Sequence, residues 1–314
     1  MNNEMQYSNG DRVLIGIFSY NEGENLRNMY NQVSTQSQDM NREIVLMDQS
    51  DDDQSLSVVN EILSSGVRNL WAGSTVRGKV HSMNRLFQYF LDSKCETLLH
   101  FDADHILSGN AVVSLVKQIH EGSDVATLLN KPQRPEKFFQ RAIGVMSLPA
   151  TLGREAGSFS LPLVGHNGAY NRRAVELMGR IPTDGVDEES YVLYKVLTNN
   201  LRFIIARDAV SYYALPSDLG EYLISVKRMV ARINAFENWK SMHKFPETGL
   251  NTFRIVYSRP PISLVIRSML SDPLPSFIIP YIYIRRAIAI NAAGIYTSDT
   301  WTTIEGTKVL KQNG

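Results

Sequence analysis

The chain has 314 residues, 43% of them hydrophobic and 20% charged, enough apolar material for a large core and incompatible with a disordered chain. Lysine plus arginine equals aspartate plus glutamate at 32 each, so no overall basic field invites nucleic acid. Cys95 is the single cysteine, which excludes an intrachain disulfide, and the polar opening Met1 to Gly10 lacks an apolar signal region, so a cytoplasmic protein is expected.

The apolar run Val13 to Phe18 reads as a first buried strand and ends in the polar Ser19-Tyr20-Asn21-Glu22. Behind it Leu26, Met29, Tyr30 and Val33 recur at helical spacing. Glu43 to Met47 predicts a second strand, which ends at Asp48-Gln49-Ser50 and the acidic run Asp51 to Asp53. A third strand is expected around Val67 to Trp71. It leads into Arg77-Gly78-Lys79 and a helix carrying Met83, Leu86, Phe87 and Phe90. Thr97 to Phe101 is the next strand and runs into Asp102-Ala103-Asp104-His105. A helix bearing Val112, Leu115, Val116 and Ile119 follows, then a strand from Val125 to Leu129. Strands alternating with helices at this rhythm predict βαβ units and a mostly parallel twisted sheet flanked by helices, with ligands gathered at its carboxyl edge.

Lys131 to Pro162 reads as an irregular, mobile segment over that crevice. Val164 to Asn171 predicts a glycine-bracketed strand feeding a helix from Arg172. Thr183 to Glu189 opens a further helix, with Val192, Val196 and Leu197 inside. Two late strands, Phe203 to Ala206 and Ala209 to Tyr213, precede a long amphipathic helix whose apolar face runs from Leu219 to Ile233; Arg228 and Arg232 lie one turn apart on it.

The chemistry concentrates at Asp102 and Asp104. Two residues apart on an extended backbone, they project from one face, and a divalent cation relieves two like charges so placed. Asp-rich strand exits also serve as plain turns. His100 and His105 flank the pair, either as core histidines or as a further ligand. Neither a Gly-x-Gly-x-x-Gly turn nor a Gly-Lys-Ser/Thr loop is present, so side-chain carboxylates and metal, rather than a glycine cradle, would hold a nucleotide. Asp187-Glu188-Glu189 suits a helix's first turn, as capping or as a general base. His166 and Asn167 are candidates for acceptor contact. Arg228 and Arg232 are candidates for a diphosphate, or else part of a solvated face.

The order of these motifs resembles the family-2 glycosyltransferases of the GT-A fold over about residues 12 to 235. The resemblance rests on Ser19-Tyr20-Asn21-Glu22, Asp48 with Ser50 and Asp52, Arg77-Gly78-Lys79 with Asn84, Phe101-Asp102-Ala103-Asp104, Gly165-His166-Asn167-Gly168-Ala169, and the acidic cluster at Asp187. It implies an α/β, Rossmann-like GT-A domain over 1–245, with a nucleotide-binding half (12–130) and an acceptor half (131–245), followed by a helical extension over 246–314. It implies Tyr20, Glu22 and Asp48 on base and ribose, Lys79 near the diphosphate, Asp104 on the metal and Asp102 on ribose or metal. The implied activity is inverting transfer of a sugar from a UDP- or GDP-linked donor, with Mn²⁺ or Mg²⁺, to a hydroxyl or phosphate of a saccharide or lipid-linked acceptor. The family's base pair is Glu-Asp, and Asp187-Glu188-Glu189 departs from it; Glu188 is preferred, with Asp187 and Glu189 beside it. A nucleotidyltransferase on a similar sheet and a catalytically silent nucleotide-sugar-binding scaffold are the alternatives.

Past Phe253 the resemblance fades. Phe277 to Ile284 is strongly apolar, but Arg285-Arg286 interrupts it well short of the ~20 residues a spanning helix needs. Peripheral contact with the inner face of a membrane through 253–301 is expected, with a helical pair packed on the catalytic domain or forming a homodimer seam as the other reading.

Overall fold

The structure is a computed structural model and describes residues 12–71, 77–155, 167–183, 186–243 and 262–291. The first half alternates β1 (Val13–Ser19), α1 (Glu24–Gln36), β2 (Arg42–Asp48), α2 (Asp53–Ser64), the two-residue β3 (Arg68–Asn69), α3 (Lys79–Asp92) and β4 (Thr97–Asp102). Next come β5 (His105–Leu107), α4 (Ala111–His120), β6 (Val125–Pro132), α5 (Phe138–Glu155), β7 (Asn167–Asn171) and α6 (Arg172–Met178). The remainder is α7 (Glu188–Thr198), β8 (Phe203–Tyr213), α8 (Leu219–Met242), α9 (Ile262–Ser271), α10 (Pro273–Ser276) and α11 (Ile279–Asn291).

Among the described residues the strands form one eight-stranded sheet in the order β3-β2-β1-β4-β7-β6-β8-β5. β1, β2, β3 and β4 run parallel, as do β6 and β8; β7 is antiparallel to both its neighbours and β5 to β8. β1 and β4 are buried along their whole lengths, since helices cover both faces of the sheet, which is why their sequences are runs rather than alternations. One core layer packs Leu26, Met29 and Val33 of α1 and Leu115 and Val116 of α4 against Ile15, Ile17 and Leu99. The other packs Leu86 and Phe90 of α3, Val175 of α6 and Val192 and Val196 of α7 against Leu14, Leu98 and Tyr170.

The structure corrects four expectations. Lys131 to Pro162 is not irregular throughout: within its described part, α5 runs on through Pro149, and Ala142, Ile143 and Val145 are buried against Leu215, Ile279 and Ile282. The two late strands are one, β8, with its register against β6 shifted between Leu128 and Leu129; the polar Arg207 and Asp208 are exposed in that irregularity. The third strand shrinks to Arg68–Asn69. Leu197 is only half-buried on α7.

The described part of the C-terminal extension is helical. It docks on α5 through Ile279 and Ile282 and through a two-pronged ion pair of Arg141 with Asp272, at 2.5 and 2.7 Å. Its outer side leaves Leu270 and Phe277 73% and 81% exposed. Among the described residues no helix is long and apolar enough to cross a membrane.

Candidate active site

In-register parallel pairing brings the carboxyl ends of three strands level: Ser19 lies opposite Asp48 and Phe18 opposite Asp102. The loops leaving them build one edge. Asn21, at a left-handed φ of 55°, takes a hydrogen bond from the Asp51 amide (2.9 Å) and donates its own backbone N–H to Ser50 Oγ (2.8 Å). Ser50 in turn donates from Oγ (2.7 Å) and its backbone N–H (3.1 Å) to Asp48, whose carboxyl burial holds above the usual range. Arg77 reaches over this edge, with its guanidinium on the Tyr20 ring and hydroxyl (3.1 Å) and ion-paired to Asp51 at 2.7 Å. Glu22 accepts from Asn25 Nδ2 (3.0 Å), and Asp52 caps α2 by accepting from Ser55 N–H (2.8 Å). Gly78, at φ 128°, is a left-handed position few side chains tolerate; its N–H donates to Gln49 Oε1 (2.9 Å), starting α3 so that Lys79 turns inward.

Asp102 closes β4, but Asp104 is not further along the same strand. It sits in the two-residue turn between β4 and the short antiparallel β5, so the expected same-face extended geometry is replaced by a tight turn. The turn nevertheless gathers donors: Asp102, Asp104 and His105 offer ligand atoms all within 4.8 Å of one another. Two carboxylates and an imidazole are a donor set suited to a divalent cation such as Mn²⁺ or Mg²⁺. His100, by contrast, is a core residue, stacked on Tyr170 at 5.5 Å with 17° between the rings.

The centre of the site is an ion triad. Lys79 Nζ stands 2.6 Å from Asp102 Oδ2 and 3.3 Å from Glu188 Oε1, and all three side chains are at least 88% shielded from solvent. Burial works against the lysine's charge, but Asp102, Glu188 and Glu189 hold its pKa well above the ordinary value. Burial likewise opposes charge on Glu188, yet Lys79 and Arg232 keep its carboxyl below the usual range. Asp187 is the N-cap of α7: it accepts from Ser190 N–H and Oγ–H, each at 2.9 Å. Its carboxyl is pushed up to about 6, chiefly by burial, with Arg232 opposing the shift and the two neighbouring glutamates adding to it.

The family model for glycosyl transferase family 2 matches residues 14–178, more than half the chain. The chain belongs to glycosyl transferase family 2. Among solved structures, this glycosyltransferase shares its fold with the mannosyltransferase PcManGT of Pyrobaculum calidifontis, solved with GDP-Man and Mn²⁺. The TM-score is 0.58 at 18% identity over 95% of this chain and 84% of that one. Glucosyl-3-phosphoglycerate synthase of Mycobacterium tuberculosis, with phosphoglyceric acid, aligns at TM-score 0.47 and 18% identity over 76% of this chain and 82% of that one. No curated protein matches at a significant level. The nucleotidyltransferase and silent-scaffold alternatives give way to glycosyltransferase membership.

Of the residues singled out from sequence, the structure brings Lys79, Asp102 and Glu188 into direct contact, with Asp104, Glu189 and Arg232 around them. Asn167 lies behind Asp102, taking its backbone N–H at 3.0 Å. Arg228 is half-buried one turn before Arg232 on α8. His166 lies outside the described residues. Sequence reasoning passed over Ser211, which joins Asn167 and His105 through hydrogen bonds of 2.6 and 2.7 Å; a serine inside an apolar strand was the available signal. It also passed over Gln49, whose amide holds the start of α3 by binding Gly78 and Ser82.

Proposed function

We propose that this glycosyltransferase moves a hexose, with inversion at the anomeric carbon, from a UDP- or GDP-linked donor to a hydroxyl or phosphate of a saccharide or lipid-linked acceptor. The observation that carries the reading is the Lys79 bridge, which joins a carboxylate at the end of a nucleotide-side strand to one at the start of an acceptor-side helix. Tyr20, Glu22 and Asp48 line the edge where the family binds base and ribose. Lys79, with Arg228 and Arg232, supplies positive charge for the donor diphosphate, and Asn167 backs the same crevice. His166 stays an acceptor candidate from sequence.

Asp104 and Asp102 would hold the divalent cation, which supplies Lewis-acid stabilisation of the departing diphosphate when bound. Glu188 is the proposed base. Held as a carboxylate by Lys79 and Arg232, it is in the protonation state needed to take the acceptor's proton as that oxygen attacks. Asp187 is engaged in capping and takes the structural part. Because PcManGT was solved with GDP-Man and Mn²⁺, that pair is the first to assay. The exposed apolar side of α9 to α11, flanked by Arg267, Arg285 and Arg286, supports peripheral contact with an anionic membrane.

Calorimetry with GDP and UDP, with and without Mn²⁺, tests the reading. Metal-dependent binding is expected, and Asp104→Ala should abolish it without unfolding the chain, since that side chain is 41% exposed. Glu188→Gln should retain donor binding and lose on the order of 10²–10⁴-fold in turnover. Activity that survives in Glu188→Gln and disappears in Glu189→Gln would move the base by one residue.

A further inference from the structure

His105 is 4% exposed on a three-residue strand that neither the family motif nor the apolar pattern required. Its ring is pinned. Nδ1 lies 2.7 Å from Ser211 Oγ on the adjoining β8, and Nε2 turns to Asp104, 3.7 Å from its Oδ1. Behind Ser211 the hydrogen bonds have a fixed direction. Asn167 Oδ1 accepts the Asp102 backbone N–H at 3.0 Å, so its Nδ2 must be the donor to Ser211 Oγ at 2.6 Å. Asn167 itself is held by Thr127, whose hydroxyl donates to its carbonyl at 2.9 Å, and by Gly168, where a Cβ would come within 2.9 Å of the Ala126 carbonyl oxygen. Ser211 Oγ keeps a second lone pair, and that lone pair can accept Nδ1–H from the imidazole. In that tautomer the ring has the arrangement of a metal-bound histidine, in which one ring nitrogen donates to an outer partner and the other offers its lone pair inward.

We infer that His105 is a third protein ligand of the divalent cation through Nε2, and that Ser211 and Asn167 are positioning residues that hold its ring. The inference rests on the metal site proposed above and extends it. One buried chain then orients both sides of the ion: Asn167 fastens the end of β4 at Asp102 and, through Ser211, the ring of His105. A nitrogen ligand makes the site favour Mn²⁺ over Mg²⁺, which takes oxygen donors almost exclusively.

The test is pulsed electron paramagnetic resonance of the full chain with Mn²⁺ and inorganic pyrophosphate, a pair that brings no nitrogen of its own. The expected result is a ¹⁴N modulation that becomes a ¹⁵N pattern when the protein is labelled with ¹⁵N-histidine. His105→Gln should lose the modulation and narrow the Mn²⁺-over-Mg²⁺ preference. Ser211→Ala should weaken Mn²⁺ binding roughly 10- to 100-fold while retaining the modulation. Labelling requires no substitution, so a variant that fails to fold leaves the test intact. Mn²⁺ bound without histidine modulation, and lost in Asp104→Ala, would overturn the inference and leave the metal reading standing. Failure of the wild-type chain to bind Mn²⁺ at all would overturn both.

Discussion

At the residue scale, Lys79 sets the energetics of the site. It bridges two carboxylates that would otherwise face each other with little solvent. Removing one partner of a buried ion pair strands the other's charge, so Lys79→Met should destabilise the fold by about 3–5 kcal/mol in denaturant melts. Adding Glu188→Gln should recover part of that loss; a single variant as stable as wild type would refute the triad's role. Asp187 behaves oppositely. Its folded pKa, about 6, lies above the unfolded carboxyl value, so the stability it contributes is complete below pH ~4 and is lost as pH rises through about 6. Asn caps a helix as well as Asp and never ionises. Asp187→Asn should therefore melt higher than wild type at pH 7, by on the order of 2 kcal/mol, with the gap closing towards pH 4.

At the scale of elements, what the sequence made legible was what carries its own pattern. β1, β2 and β4 and helices α1, α3 and α4 were readable because each buries a continuous run or a helical stripe, a pattern visible in the residues themselves. α5 was not, because its Pro149 and scattered arginines look like loop, while the groups that bury Ala142, Ile143 and Val145 come from Leu215 and from Ile279 and Ile282. The same holds within the site. The Asp102–Asp104 pair was visible, but the turn between them and the short β5 depend on pairing with β8, more than a hundred residues on. The choice among Asp187, Glu188 and Glu189 was unreadable locally, since all three suit a helix start; in the fold Asp187 takes the cap and Glu188 the contact with Lys79. β7 also carries a packing constraint. Gly168→Ala would press a methyl into the Ala126 carbonyl, and a loss of about 1–3 kcal/mol is expected, read by thermal melting.

At the scale of the whole molecule, α9 to α11 present an apolar plate that the sheet does not use. Asp272, the single acidic residue between Ile262 and Asn291, is spent on Arg141, so Arg267, Arg285 and Arg286 leave the plate net positive. Co-sedimentation with phosphatidylglycerol vesicles should retain the wild-type chain, and Leu270→Ser with Phe277→Ser should release it at unchanged melting temperature. Wild-type protein left wholly in the supernatant would remove the membrane from the proposal.

β7 is slotted between β4 and β6, and β6 touches no strand that precedes it in the chain. A piece excised at residue 130 would therefore carry β6 as an orphan and leave the amides of β4 as a raw border open to any passing chain. Cutting there should yield aggregates rather than an autonomous nucleotide-binding module. The strands before residue 130 and those after it are thus woven into a single fabric, and neither set can be taken out without baring the other's edge.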